Sequence, residues 1–424
     1  MSMSQFFRAS RVGIGRARTI IAVLGAGAGL VGCGNILEVE YPGRIPADQI
    51  NDPALATVLV TSVIGDFECA YNNYFAGSSV QSDEFETAND NGSLASYGER
   101  GTNGDADDYV IGPCEANQSD FGMWVPMHTA RFQSEDVFAR LSGWTDAQVP
   151  NRTAMMATVR AYGAYIYTFM GETFCSVSFD KGPKQDPSAS LVIAEQRFTD
   201  AINLAQQAGD ADILNMARVG LARTEMDLKK WSEAQAAAAQ VPAGYEKFAD
   251  RGTENDRRWN KIFYFAVTVG AYVVADAYRT LAANDPRVLV ADAHRGGWYP
   301  NIELWYTTKH PALDTPIRLS SYREAQLILA EALAQQGQTG QALTVLNTRR
   351  AEVGLSPLTA STQQDAINAV IDERKRELSF EGGHRLNDLL RYNIPWKIGT
   401  NAYSGRRYGT QTCWPYPTKE ANGA

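Results

Sequence analysis

Residues 319–392 read LSSYREAQLILAEALAQQGQTGQALTVLNTRRAEVGLSPLTASTQQDAINAVIDERKRELSFEGGHRLNDLLRY, and their pattern decides the fold. Leu327, Ile328, Ala330 and Leu333 recur at helical spacing before Gly337, a residue suited to a C-cap, so the first segment is an amphipathic helix. A second stripe, Ala342, Leu343 and Leu346, starts near Gly340 and runs through Arg349 and Arg350 to a stop at Gly354. The Gly-rich join is too short for anything but an antiparallel pair. A third helix is predicted from Gln363 through Ile367, Val370 and Ile371 to Phe380, followed by a break at Gly382 and Gly383. Charges around that break lie three or four positions apart, so opposite signs can meet. Glu377, Glu381 and His384 have acid/base chemistry in principle, but no nucleophile or second cluster accompanies them. The reading is therefore a structural ion network of Arg374, Glu377, Glu381, Arg385 and Asp388.

The order of motifs here resembles the C-terminal half of SusD/RagB proteins, the surface nutrient-binding lipoproteins of Gram-negative bacteria. Those motifs are Ala330-Glu331-Ala332-Leu333, Ala342 to Arg349 with Gly354-Leu355, Glu373 to Gly382, then Arg385, Asp388 to Arg391 and Trp396. Several motifs in the correct order are more specific than any one alone. A departure is Gly382-Gly383-His384-Arg385, one residue longer than the family's usual Glu-Gly-x-Arg. The resemblance implies a mainly α fold, a tetratricopeptide-like helical repeat scaffold with long irregular loops (SusD-like). It further implies a surface-exposed, lipid-anchored protein that captures oligosaccharides and delivers them to a SusC-like TonB-dependent outer-membrane transporter. For some relatives it implies peptide in place of glycan. In neither case is a cofactor or catalytic machinery implied.

The chain has 424 residues, 44% of them apolar and 21% charged, which is ordinary globular composition. Its net charge of -9 argues against nucleic acid as a partner. Arg8, Arg11, Arg16 and Arg18 precede an apolar run from Thr19 to Val31 that is short for a bilayer span and ends Leu30-Val31-Gly32-Cys33. This looks like a lipobox, with residues 1–32 as signal peptide, Cys33 as the acylated residue and 33–50 as a tether. Several acyl chains on one residue, at about 0.8 kcal/mol per buried methylene, give stable anchoring. The same letters mimic a strand feeding a dinucleotide loop over Gly25 to Gly29, but the last glycine falls one residue early and no helix period follows. Cys69, Cys114, Cys175 and Cys413 remain, an even number in an exported chain. They predict two disulfides with three possible pairings; Cys69 with Cys114 and Cys175 with Cys413 is preferred because each pair joins loop-like segments.

Residues 51–424 are expected to form a single domain. Pro53 to Ile64 is apolar at helical intervals, after a turn at Tyr41-Pro42-Gly43. Residues 65–122, rich in Gly, Asn, Asp and Ser with scattered aromatics, are read as an irregular functional tract. Helical repeats are expected over 124–240: Trp124 to Leu141, Asn151 to Gly171, Leu191 to Ala208, Asp210 to Leu228 and Ser232 to Gln240. Ala217, Ala222, Ala234 and Ala237 would permit close packing. Residues 241–316 form a second loop-rich region with a strand-like run, Ile262 to Val274, and helical repeats return over 319–392.

The catalytic search is nearly empty, with no Gly-x-Ser-x-Gly, no His-Glu-x-x-His and only four histidines, none spaced as metal ligands. Asn103, Asp105 and Asp107 alternate as in a calcium loop, but its glycine and distal glutamate are missing, so a solvated acidic turn is the reading and no metal is expected. Sugars present apolar faces ringed by hydroxyls, so their sites combine exposed aromatic planes with Asn, Asp, Gln and Arg. Both loop-rich regions have that composition. Tyr71, Asn72, Asn73, Tyr74, Asp83 and Trp124 are the candidates in the first, and Trp298, Tyr299 and Trp305 in the second; the competing reading makes each aromatic local core. A secreted glycan hydrolase is the alternative from another class.

Overall fold

Leu59, Val63, Phe67, Ala70 and Tyr74 fall at steps of three and four residues and build the central helix, α1 (Ala56–Gln81). The computed structural model describes residues 49–112, 114 and 121–421. The expected signal peptide, Cys33 and nearly all of the expected tether lie outside the described residues. After α1 come β1 (Phe85–Thr87), α2 (Gly92–Gly98), α3 (Asp107–Val110), α4 (Trp124–Gly143), α5 (Arg152–Thr173), α6 (Ser188–Ala208), α7 (Ala211–Asp227) and α8 (Trp231–Ala238). A strand-bearing segment follows, with β2 (Glu246–Ala249), β3 (Tyr272–Val274), α9 (Asp276–Ala282), β4 (Val290–Gly296), β5 (Glu303–Thr307) and β6 (Ile317–Ser321). The chain closes with α10 (Tyr322–Gln335), α11 (Thr339–Glu352), α12 (Gln363–Glu377), α13 (His384–Arg391) and α14 (Thr418–Ala421).

The molecule is mainly α, and the described residues from Asn51 onward form one unit. Helices neighbouring in sequence pack in pairs, α4 on α5, α5 on α6, α6 on α7 and α7 on α8. Helix α10 then joins the two helical blocks by packing on α7 and α8 as well as on α11 and α12. Small side chains make this junction tight, with Ala222, Ala234, Ala238, Ala325 and Ala332 buried in one cluster around Val219, Met226 and Ile328. Beyond it, Leu327, Leu333, Leu346, Ile367, Val370 and Leu378 fill the space between α10, α11 and α12. Ser321 caps α10 by accepting from the Glu324 amide, and Thr362 with Asp365 forms a capping box at the start of α12. The strands form small antiparallel pairs, β1 with β3, β2 with β6 and β4 with β5.

Two expectations are corrected here. The tract 65–122 is not irregular at its start, because α1 runs on to Gln81 and is buried without interruption from Cys69 to Ser82. Its polar and small residues are explained by what packs on them. Asn72 donates to the Trp259 carbonyl (2.8 Å), Asn73 donates to the Gly122 carbonyl (2.7 Å), and a Cβ on Gly77 would collide with Met123. Low helix propensity is overridden by tertiary contact. The run Ile262 to Val274 is not one strand but a π-helical turn over Phe263–Thr268 followed by β3. Cys69 pairs with Cys114, tying α1 to the segment after α3, and Cys175 pairs with Cys413, tying the end of α5 to the C-terminal tail.

Charges run through the core. Arg223 donates two hydrogen bonds to Glu172 (2.6 and 2.8 Å), and the Tyr74 hydroxyl donates to the same carboxylate (2.6 Å). This joins α7, α5 and α1 in the buried interior. Gly382 and Gly383 have positive φ and lie directly on α1, where a Cβ on Gly383 would collide with the Tyr74 hydroxyl. We expect Gly383→Ala to lower the unfolding free energy by about 2–4 kcal/mol, from backbone strain plus overpacking, read as a lower urea midpoint. Buried Glu225 has its pKa raised to about 8, first by desolvation and then by Glu195 and Glu233. Because the unfolded chain releases that proton near pH 4.5 and the folded chain only near 8, stability is lost progressively as pH rises between those values. Glu225→Gln should therefore gain about 1–3 kcal/mol at pH 8 and nothing at pH 4, measured by thermal melts at both.

Candidate functional site

The β4–β5 hairpin carries Trp298, Tyr299 and Trp305. Alternation along β5 buries Leu304 completely, in a cluster with Ala88, Val273 and Ile302, and turns Glu303 and Trp305 to the other face. Trp305 sits opposite Asp292, donates from Nε1 to Glu303 (3.3 Å) and is covered on one side by the Arg279 guanidinium, 5.3 Å from the ring centroid. Arg279 also pairs with Asp276 and donates to the Tyr403 hydroxyl (3.2 Å). Tyr299 and Tyr403 both pack on the Leu304 cluster, so the hairpin and the 401–403 turn meet there, and Arg279 links α9 to that turn. The Asp90 carboxylate lies near Tyr299, and desolvation together with that carboxylate raises the phenol pKa. Trp298 is held by its backbone N–H on the Gly270 carbonyl (2.8 Å) while its side chain stays 40% exposed. The hairpin thus leaves Trp298 and Trp305 partly open to solvent, with Arg279 and Asp276 beside Trp305, and brings Tyr299 near Asp90 and Arg406, which donates to the Asp90 carbonyl (2.9 Å). Rings exposed in this way can stack on the apolar side of a sugar while the neighbouring charges satisfy its hydroxyls.

The structure does not bring the other sequence candidates to this face. Tyr71, Asn72, Asn73 and Tyr74 are buried in α1, and Tyr74 stacks 4.2 Å from Phe169. They are core residues, and the expectation that they bind ligand is corrected by their enclosure. Asp83 is the counter-ion of Arg385, which donates to both its oxygens (2.6 and 2.7 Å). Burial acts to raise its pKa, but the Arg385 bonds and charge, with Lys375, hold it below the usual range. Trp124 is buried at the start of α4 and donates to Glu420 (3.3 Å), in a different part of the molecule's surface. Arg279, Asp276, Tyr403, Asp90 and Arg406 were not legible as site residues, because nothing in the sequence links segments this far apart.

Each of the five residues expected to form an ion network is ion-paired, mostly with partners outside the five. Only Arg374 and Asp388 pair with each other (3.0 Å). Glu377 accepts from Arg349 (3.0 Å), Glu381 from Lys309 (2.8 Å) and Arg318 (2.6 Å), and Arg385 holds Asp83. The Asp285-Pro286-Arg287 segment joins in, with Arg287 bonded to Asp285 (2.7 Å) and Glu373 (2.6 Å). Carboxyls with pKa values suited to acid catalysis do occur. Burial raises Glu84 and Glu324 to about 7 each. Both are enclosed, Glu84 accepting from the Phe380 amide (2.6 Å), so neither meets a substrate. Among the described residues no group of three His, Cys, Asp or Glu side chains could hold a metal. Asp105, from the calcium-like alternation, instead accepts from the Thr418 amide (2.8 Å) and hydroxyl (2.7 Å).

Residues 316–422 match the model of the SusD family. Among solved structures the chain is similar to a SusD homolog from Bacteroides thetaiotaomicron, with TM-score 0.71, 14% identity, and coverage of 90% of this chain and 98% of that one. It is similar to a SusD superfamily protein from Bacteroides vulgatus at TM-score 0.65 and 15% identity, covering 88% and 97%. It is also similar to surface glycan-binding protein A from Bacteroides thetaiotaomicron in complex with laminarihexaose, at TM-score 0.66 and 15% identity, covering 88% and 97%. No curated protein matches. These likenesses establish the fold over 88–90% of the chain, and the family match covers the stretch that begins at β6.

If Asp83 is a counter-ion and not a ligand contact, Asp83→Asn should cost about 1–3 kcal/mol of stability, since its side chain is partly exposed. Urea unfolding checks this. An unchanged midpoint with weakened ligand binding would return Asp83 to the ligand site.

Proposed function

We propose, from the match of residues 316–422 to the SusD family model and the fold shared with SusD proteins, that the chain is a glycan-binding member of that family at the cell surface. It captures oligosaccharides on the β4–β5 face and delivers them to a SusC-like TonB-dependent outer-membrane transporter, anchored by acyl groups on Cys33. The observation that carries this reading is the Trp298–Tyr299–Trp305 hairpin, which keeps rings partly at the surface beside Arg279, Asp276 and Asp90, while Glu84 and Glu324, whose pKa burial raises to about 7, are sealed in the core. A ring open on one face loses water cheaply when a sugar's C–H surface covers it, and neighbouring charges then hydrogen-bond the hydroxyls. The laminarihexaose-bound relative supports glycan over peptide as cargo. Transport energy would come from the transporter, so this chain needs to bind and release without bond cleavage.

The soluble chain from residue 34 onward, screened on glycan and peptide arrays, should retain glycans; retention of peptides alone would replace the cargo, and turnover of a bound glycan would favour a hydrolase. Trp305→Ala and Trp298→Ala should each weaken the glycan found by about 1–3 kcal/mol in calorimetry, with unchanged melting temperature. Equal loss of stability would make these rings core. Cys33→Ser should abolish incorporation of labelled palmitate in cells, and retained label would contradict the anchor.

A further inference from the structure

A second cleft, of about 430 Å³, opens between the first half of α4, the loop after α5 and the C-terminal tail, and shares no residue with the hairpin face. Trp124, His128 and Phe132 line one side of it at successive four-residue steps of α4. The Trp124 ring lies 4.5 Å from His128 and 5.0 Å from Tyr416, whose hydroxyl is bonded to Ser178 (2.9 Å) across the loop. Phe132 is 56% exposed, a large ring left in water at the cleft's edge. Polar groups face the same space. Arg131 is clamped by Asp180 (2.9 and 3.2 Å), whose own side chain is 70% exposed.

Two buried nitrogens here, His128 Nε2 and Arg131 Nε, have no hydrogen-bond partner. They lie just behind the cleft wall, so a hydroxyl or water that reaches them as the His128 and Arg131 side chains turn towards the cleft supplies the partner they lack among the protein atoms. Burial lowers the His128 pKa to about 3, so the imidazole is neutral and offers one donor and one acceptor. The charges on the cleft wall balance, Arg131 and Lys181 against Asp180 and Glu420, which suits an uncharged ligand better than an ion. Aromatic planes, a neutral imidazole and paired charges together match a polyhydroxylated ring with an apolar face.

We infer that this cleft is a second carbohydrate subsite, which takes a neutral sugar unit against Phe132 and Tyr416 with its hydroxyls on His128, Arg131 and Asp180. The inference rests on the reading that the chain binds glycans, but it assigns different residues from the hairpin. It gives Trp124 a place in ligand binding as the wall behind His128 and Tyr416.

Histidine-labelled chain from residue 34 onward is titrated with maltohexaose, cellohexaose, laminarihexaose and xylohexaose, following the His128 resonances by NMR and total binding by calorimetry. At least one hexasaccharide should shift His128 saturably in both the natural chain and Trp298→Ala. Phe132→Ala, at an exposed position, and Tyr416→Ala should each weaken that shift's midpoint at least about tenfold. A His128 signal that stays still while glycan binds at the hairpin overturns the cleft alone. A shift that survives both ring removals, or disappears in Trp298→Ala, also overturns it. Absence of any binding overturns the cleft and the glycan reading together.

Discussion

A guanidinium sealed inside a protein has to keep its carboxylate, and the arrangement of this molecule follows from that constraint. Arg223 is 2% exposed, grips Glu172 with two bonds and approaches Glu324 to 3.6 Å. Removing one partner of such a pair leaves a buried charge uncompensated, a loss of about 3–5 kcal/mol. Arg374 repeats the arrangement between Asp388 (3.0 Å) and Glu331 (3.6 Å), and Arg391 reaches Asp388 (2.7 Å) and Asp227 (3.4 Å). These pairs tie α5, α7, α10, α12 and α13 together. A hydrophobic contact tolerates sliding, whereas each bidentate pair fixes direction as well as distance. Where neither sign dominates, as around Glu324 and Glu84, burial raises the acid's pKa instead.

That frame sorts the aromatic residues into two populations. Tyr71, Tyr74, Tyr165 and Phe169 stack between α1 and α5, and the Arg223 guanidinium lies 5.5 Å from the Phe169 ring. They are part of the fixed interior. Trp298, Tyr299, Trp305 and Tyr403 belong to a hairpin and a turn that lean on a small cluster around Leu304. The hairpin's register shifts between Asp292 and Gly296, and such bulges re-aim side chains at strand edges. A surface of this kind can vary in its rings without disturbing the charged frame behind it.

The helices were legible where period and punctuation agreed. The stripe from Leu327 to Leu333 is α10, and Gly337 and Gly354 take the positive φ expected where α10 and α11 end. In α1 the period was present too, but Asn72, Asn73, Gly77, Ser78 and Ser79 spoke for a loop. Their partners, Trp259, Gly122 and Met123, come from segments with no local signature in α1. The same limit applied to the charges. Spacing pointed to Arg374, Glu377, Glu381, Arg385 and Asp388 as one group, of which Arg374 and Asp388 pair with each other, while Asp83, Arg287, Lys309 and Arg349 enter only through tertiary packing. At the candidate site, Trp298, Tyr299 and Trp305 were accessible to composition because one hairpin holds them. Arg279 and Tyr403 were not, since their meeting depends on the fold alone.

The central claim is that a rigid, charge-locked helical frame stays fixed while ligand is gripped at surface aromatics. Hydrogen–deuterium exchange with and without a bound hexasaccharide tests it most directly. The account predicts slow, unchanged exchange in α5, α7, α10 and α12 and new protection confined to the surface aromatic segments, above all residues 290–307 and 401–403. Protection that appears instead at the α12–α13 junction, around Glu377 and His384, would contradict it, because the ion network would then be the site and not its support.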